Sequence, residues 1–202
     1  MKCSLRLDRR GASAAEFALV LPLLILFLFG IIDGGRLLWE VNKAEKATQV
    51  GARVAVVTNV LSSGLRDESY LGVGGLTQGD NIPASAFGKM TCSNAGCCVS
   101  AGQCTGTYPA VGTFDSSTFS LIVQRMRFMK PDIAASNVSV SYRGSGLGYA
   151  GDPNGMDVSP LVTVELSGVQ FRPLVLLGAV PFTLPAFRTT LTAEDSEGVQ
   201  SN

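Results

Sequence analysis

Residues 9–36, RRGASAAEFALVLPLLILFLFGIIDGGR, decide how the N-terminal part of the chain folds. Residues 17–32 carry no charge, and the apolar run that starts at Ala12 is interrupted only by Ser13 and Glu16. A helix of about 20 residues is roughly 30 Å long, which is the thickness of the hydrocarbon layer of a bilayer. The stretch therefore predicts a transmembrane helix over residues 12–33, in which Pro22 is tolerated.

The charges on either side of this helix predict its orientation. Residues 1–11 form a basic leader with a net charge of +3, and the remainder of the chain carries −3. Because basic flanks stay in the cytoplasm, we expect a single-pass membrane protein with its N-terminus in the cytoplasm and residues 37–202 outside. The acidic body also argues against nucleic acid as a partner, since binding would need a basic face.

The chain contains no histidine, the commonest general base and metal ligand. No set of nucleophile, base and orienting group is visible in its pattern of residues. We therefore expect no enzyme, no cofactor, no bound metal and no small-molecule substrate. An extracytoplasmic enzyme on a membrane anchor is the least favoured alternative.

The helix is expected to continue outside the membrane over residues 34–60, which contain no proline. Apolar and small residues recur there at helical spacing and indicate one packing face. Small residues at every fourth position let another backbone approach closely. The face consists of Leu37, Val41, Ala44, Thr48, Gly51 and Ala55, with Ala47, Gly51 and Ala55 as its small-residue stripe.

Residues 61–202 are expected to form an extracytoplasmic α+β domain. Residues 61–120 are typical of loops and short strands, and residues 121–130 fit either a short helix or a strand. Alternation of apolar and polar residues predicts strands over 137–143, 161–171 and 182–195, the last broken at Pro185. The fold class is thus α+β, with a long N-terminal helix, half in the membrane and half outside, packed on three or four antiparallel strands.

The apolar segment between the last two strands, RPLVLLGAVP at residues 172–181, is too short to span a bilayer as a helix. Two interpretations stay open. The segment is either a short buried helix or a surface patch that contacts the membrane or a neighbouring subunit.

Four cysteines lie close together in the outer domain, and their position outside the cytoplasm predicts two disulfides with three connectivities open. A zinc site is disfavoured, because the spacing is not that of paired C-x2-C ligands. A direct bond between sequence neighbours would be strained. The candidates are Cys92, Cys97, Cys98 and Cys104.

Charged residues mark the two ends of the transmembrane segment. Asp33 and Arg36 are three residues apart at the outer end, so they either pair on one helix face or simply mark the water boundary. Glu16 lies at the inner end, where a carboxylate costs up to about 2.5–3.5 kcal/mol on insertion scales. Either a partner compensates Glu16, or its side chain reaches the cytoplasmic surface.

The order of basic leader, Gly11, four small residues and Glu16 before a long apolar helix resembles the type IV prepilin pattern. Over about residues 9–57, the stretches RRGASAAEFALVLPLL, FGIIDGGR and ATQVGARVAV are similar to the TadE-like family. That family comprises minor pilins or pseudopilins of the Tad (type IVc, tight adherence) pilus system. The resemblance implies a pilin-like fold.

The resemblance also implies processing, partners and a location in the bacterial inner membrane, with the C-terminal domain in the periplasm. A prepilin peptidase would cut between Gly11 and Ala12, which makes Glu16 the fifth residue of the mature chain. Glu16 would then pair with the new α-amine of an adjacent subunit during assembly with other pilins and Tad assembly proteins in the inner membrane or the pilus. The alternative is an uncleaved membrane-anchored protein whose outer domain serves adhesion or binding.

Overall fold

The computed structural model describes residues 12–99, 111–153, 155–174 and 180–193, with side chains from Ala14 onward. Its longest element is helix α1, Ala12–Val57, which contains Pro22. The helix was expected to reach about Val60 but ends three residues earlier. Thr58 closes the last turn, because its backbone N–H and its hydroxyl both donate to the carbonyl of Val54, at 3.1 and 2.8 Å.

The chain divides into two compact units. The first unit contains α1 up to Glu40 together with Gln170–Phe182. The second contains Val41–Val169 and the chain from Thr183 onward, and it includes the large sheet.

The second unit is built on a five-stranded antiparallel sheet. A sheet of three or four strands was expected, and the hairpin of the two strands nearest the N-terminus adds to it. The strands are β1 Lys89–Ser93, β2 Gly96–Val99, β3 Val138–Arg143, β4 Leu161–Leu166 and β7 Phe187–Thr192. Their order across the sheet is β2-β1-β3-β4-β7.

The remaining elements are short, apart from α3. They are α2 Ser63–Arg66, α3 Ser116–Met129, the two-stranded pair β5 Gln170–Phe171 and β6 Phe182–Thr183, and 3-10 turns at Val73–Gly75, Ala84–Ala86 and Ala135–Asn137. Residues 121–130, which fitted either a helix or a strand, lie almost entirely in α3. The strand expected over 161–171 ends at Leu166, because Gly168 adopts a φ of +69° and turns the chain before β5.

One face of the sheet forms the core of the second unit, and the other face is polar. In β4, Val162, Val164 and Leu166 are buried, while the residues between them are half-buried. On the polar face, Glu165 pairs with Arg188 of β7 at 2.9 Å. This alternation is the pattern expected for an antiparallel sheet that is covered on one side.

The outer part of α1 and helix α3 pack together with this core. Gly51 lies next to Met126 of α3 and Val164 of β4. Thr48 and Thr189 bring their hydroxyls within 3.0 Å of each other, which ties α1 to strand β7. The structure is therefore α+β, with the long helix packed on a small antiparallel sheet as the sequence predicts.

Beyond α1, Tyr142 fixes the path of the chain. Its buried hydroxyl accepts a hydrogen bond of 3.1 Å from the backbone N–H of Leu61. Burial raises the pKa of Tyr142, because the phenolate would lose its hydration, so the side chain stays neutral. Because the backbone N–H of Leu61 is bonded to Tyr142 of strand β3, it does not form the hydrogen bond of a further helical turn.

Candidate functional site

The N-terminal half of α1 exposes an apolar surface along most of its length. From Ala14 to Ile32 its residues are exposed, except for the half-buried Leu21 and Gly30. In the part of the chain that the structure describes, α1 is the one helix long and apolar enough to cross a membrane. Contiguous apolar surface of this kind indicates a membrane or protein contact, since monomeric soluble proteins rarely expose it. The observation is consistent with membrane anchoring.

Glu16 lies within this apolar part of α1 and is exposed. Its neighbours along the chain, Ala15 and Phe17, are exposed as well. Gly11, the first residue of the expected cleavage site, lies outside the described residues, and Ala12 is the first residue of the helix. Cleavage between these two residues and the assembly role of Glu16 stay predictions.

At the other end of the apolar run, Asp33 is almost fully buried, with 3% of its surface exposed. Its Oδ1 atom accepts a hydrogen bond of 2.9 Å from the backbone N–H of Leu174. The same oxygen lies 3.4 Å from Nη1 of Arg36, one helical turn further along. The carboxylate therefore joins the helix to a segment 141 residues later in the sequence.

Aromatic contacts support the same junction. The guanidinium carbon of Arg36 lies 5.6 Å from the ring centroid of Phe171, a cation–π distance. The rings of Phe171 and Phe182 pack edge to face, with their centroids 5.5 Å apart. Strands β5 and β6 thus pair on either side of residues 172–181 in the sequence, of which residues 175–179 lie outside the described part of the chain.

The sequence did not predict this junction, although it contained two signals. Asp33 is an acid placed directly after an apolar run, and residues 172–181 are an apolar run without a predicted partner. Each signal alone has an ordinary explanation. Only the three-dimensional structure shows that the carboxylate accepts a backbone hydrogen bond from the second segment.

The small-residue stripe of α1 lies within the second unit. Ala47 and Ala55 are buried, and Gly51 is in contact range of two core side chains. A methyl group added at Gly51 would lie 2.8 Å from Sδ of Met126, closer than real contacts allow. The stripe therefore faces the core of its own domain.

The cysteines hold the first hairpin of the sheet. Cys92 and Cys97 form a disulfide and are also partners in the register of β1 and β2. Cys98 is disulfide-bonded as well, and Cys104 lies outside the described residues. Among the described residues, no group of three or more histidine, cysteine or acidic side chains is placed to hold a metal ion.

The comparison with protein families falls on the N-terminal helix. Residues 11–53 match the family model of TadE-like proteins. This confirms the resemblance that the sequence indicates, and the TadE-like match runs from Gly11 into the part of α1 that packs in the second unit. TadE-like proteins are a pilin-type structural family and not an enzymatic one. No curated protein and no solved structure matches the chain.

The TadE-like segment contains Glu16, the Asp33–Arg36 pair and part of the small-residue stripe. It ends before the sheet, the disulfide hairpin and the segment that contacts Asp33. The match therefore indicates involvement in the Tad pilus system and a membrane setting.

Proposed function

We propose that the protein is a minor pilin or pseudopilin of a Tad (type IVc) pilus. In this proposal a prepilin peptidase cuts after Gly11, and the mature subunit stays in the inner membrane or enters the pilus through its N-terminal helix. The observation that carries the proposal is the TadE-like match from residue 11 to residue 53, which falls on an exposed apolar helix with an acid near its start.

The physical role of Glu16 follows from charge and solvation. A lone carboxylate within an apolar membrane helix is unfavourable, whereas a carboxylate beside a cation in a medium of low dielectric is attracted strongly. Cleavage after Gly11 supplies that cation as the α-amine of Ala12. The amine of one subunit then compensates Glu16 of the next, which couples processing to the register of the assembled helices.

The rest of the chain suits a structural role. The outer part of α1 is anchored in the sheet domain through Gly51 and Thr48, so the helix that carries the TadE-like match is also part of the core of that domain. The Cys92–Cys97 disulfide braces a hairpin of that domain.

The test compares two neutral substitutions on the same helix in cells that make the pilus. Glu16→Gln removes the proposed assembly charge, and Glu45→Gln removes an exposed charge in the outer part of α1. Both variants should insert in the membrane as the wild type does, measured by resistance to alkaline carbonate extraction. Glu16→Gln should lower the amount of subunit recovered with sheared pili or cross-linked to other pilins by at least about tenfold, because loss of one partner leaves the other charge unpaired.

Recovery of Glu16→Gln at the wild-type level, alongside Glu45→Gln, would show that the acid has no assembly role. If neither wild-type nor variant protein associated with pilins while both stayed in the membrane, the protein would be the uncleaved anchored adhesion or binding protein.

A further inference from the structure

We propose that the polar face of the five-stranded sheet binds an acidic polysaccharide. Carboxylates of the polysaccharide contact Lys89 and Arg143, and its sugar hydroxyls contact a row of hydroxyl side chains beside these two cations. The site lies within the second unit and outside the TadE-like match, which ends at residue 53. The inference requires neither cleavage after Gly11 nor a role for Glu16, so it goes beyond the proposed function and is tested separately from it.

Two cations of the polar face lie directly opposite each other. Lys89 of β1 and Arg143 of β3 are partners in the register of the sheet, and both are exposed. Side chains at such paired positions start about 4.5–5.5 Å apart, and like charges there destabilise the pair of strands. Within the described part of the chain, neither side chain has an acid in ion-pair range. A carboxylate that contacts both cations therefore relieves an unfavourable interaction.

A third cation of this face, Arg188, is already compensated. Its Nε and Nη2 atoms lie 2.9 and 3.1 Å from the two carboxylate oxygens of Glu165. Arg188 and Glu165 are also partners in the register of β7 and β4, at the end of these strands away from Lys89 and Arg143. The excess positive charge of the polar face is therefore concentrated at the Lys89–Arg143 pair.

A row of hydroxyls crosses four strands next to the two cations. Thr91, Ser141, Thr163 and Thr190 are successive partners in the register from β1 through β3 and β4 to β7. Because neighbouring strands lie about 4.8 Å apart, the row is roughly 14 Å long. Hydroxyls both donate and accept hydrogen bonds, as the 2.8 Å contact between Thr163 and Thr190 illustrates. Such a row matches the hydroxyl groups along a short oligosaccharide.

The cations and the hydroxyls line one shallow depression, and its composition favours a glycan over a protein or a nucleic acid. The residues used here are Lys89, Ser141, Arg143, Thr163, Arg188 and Thr190. Among the described residues, the half-buried Leu161 is the one apolar side chain of this lining, which has no aromatic ring. Protein interfaces have an apolar core with aromatic anchors, and single-stranded nucleic acids stack on aromatic rings. A hydrated, anionic chain of sugars requires neither.

The experiment measures binding by the full-length chain in nanodiscs of phosphatidylcholine, which carry no net charge. The probe is trigalacturonate, a trisaccharide with three carboxylates, and isothermal titration calorimetry gives its dissociation constant. The neutral methyl ester of the same trisaccharide shows whether charge is required. An end-blocked triglutamate peptide carries three carboxylates without sugar hydroxyls, so it shows whether the sugar is required.

Lys89→Gln and Arg143→Gln remove the two cations one at a time. Each should weaken binding of trigalacturonate by at least about tenfold, because a hydrogen bond to a charged group is lost. Arg53→Gln is the matched control, since Arg53 is exposed on α1, which packs against the opposite face of the sheet. It should change the dissociation constant by less than about twofold, because a distant exposed charge is screened.

The hydroxyl row is tested by Thr163→Val, which removes one hydroxyl and leaves both cations in place. It should weaken binding of trigalacturonate several-fold and leave binding of triglutamate unchanged, because only the sugar offers hydroxyl partners. We expect wild-type protein to bind trigalacturonate several-fold more tightly than either the methyl ester or triglutamate. Unchanged binding of trigalacturonate by Thr163→Val would contradict the contact with the row.

Three other results would overturn the proposal. Equal binding of trigalacturonate and triglutamate would mean an unselective cationic patch. Wild-type affinity of both Lys89→Gln and Arg143→Gln, or no binding by the wild type, would show that the sheet face is not the site. If trigalacturonate bound only after Glu194→Gln, Asp195→Asn and Glu197→Gln were combined, the occupant would be the chain's own acidic residues and not a glycan.

Discussion

Gly51 and Met126 lie so close that a methyl group added at Gly51 would come within 2.8 Å of Met126 Sδ and 2.9 Å of its Cγ. The glycine thus fits a site that leaves no room for a side chain, and it lets α1 approach α3 directly. The third near atom belongs to Val164 of the sheet, at 3.2 Å. One residue therefore sets how closely the helix packs on both other layers of the domain.

Gly51→Leu should destabilise the second unit by about 1–3 kcal/mol, because the leucine side chain would overpack the core. This cost outweighs the gain of roughly 1 kcal/mol in helix propensity when leucine replaces glycine. Arg53→Leu adds the same side chain at an exposed position of the same helix and should change stability by less than about 0.5 kcal/mol. Chemical denaturation of the full chain in detergent micelles measures both. Equal stability of the two variants would mean that the contact with Met126 does not limit the packing.

Breaking the hairpin disulfide should destabilise the sheet domain. In a double Cys92→Ala, Cys97→Ala variant, the unfolded chain is no longer constrained by this short disulfide loop. The loss of that constraint should lower the free energy of unfolding by roughly 2 kcal/mol. It leaves the disulfide of Cys98 in place, so the effect of one bond is isolated. The measurement is the denaturation midpoint of variant and wild type without reductant. An unchanged midpoint would show that strands β1 and β2 hold together without the bond.

The N-cap of helix α3 is Asp115, and the charge of its carboxylate contributes to the stability of the helix start. Both carboxylate oxygens of Asp115 accept hydrogen bonds, from the backbone N–H groups and the hydroxyls of Ser117 and Thr118. Partial burial acts to raise the pKa of Asp115, but these hydrogen bonds outweigh it and the pKa is lowered. Asp115→Ala should cost about 1 kcal/mol of stability, the usual value for loss of an N-cap.

The pH dependence of this cap has a defined sign. Because the folded pKa of Asp115 is depressed, its charge stabilises the fold above the unfolded pKa of about 3.9, and this contribution is lost as the pH falls through the folded value. Asp115→Asn keeps a capping side chain without the titration. The stability difference between wild type and Asp115→Asn should therefore shrink below about pH 4. A difference that stays constant from neutral pH to pH 2 would contradict the role of the charge.

Much of the fold was predictable because its signals are local. The apolar run and the periodic face of α1 predict a long helix, and alternation predicts β3 and β4. The segment LIVQRMRFMK at residues 121–130 fitted either a helix or a strand, and Asp115, a residue type that favours a helix start six residues earlier, was not used in the prediction. Residues 182–195 were expected as a strand broken at Pro185, and the structure has two strands there: Phe182–Thr183 pairs with β5, and Phe187–Thr192 joins the large sheet.

The remaining features depend on contacts that no local pattern encodes. Pairing of Cys92 with Cys97 depends on the register of the β1–β2 hairpin, so three connectivities were open from the sequence. The bond between Asp33 and Leu174 joins residues 141 positions apart, and an apolar segment gives no sign of which acid its backbone contacts. Such long-range pairs require the folded chain.

The central claim is that this chain is processed to begin at Ala12, and the mature N-terminus tests it most directly. The protein is purified from cells with and without an active prepilin peptidase of the Tad system, and its intact mass and N-terminal sequence are determined. We predict a chain that begins at Ala12 in the presence of the peptidase and at Met1 in its absence. Persistence of residues 1–11 on the chain in cells with the active peptidase would contradict the account.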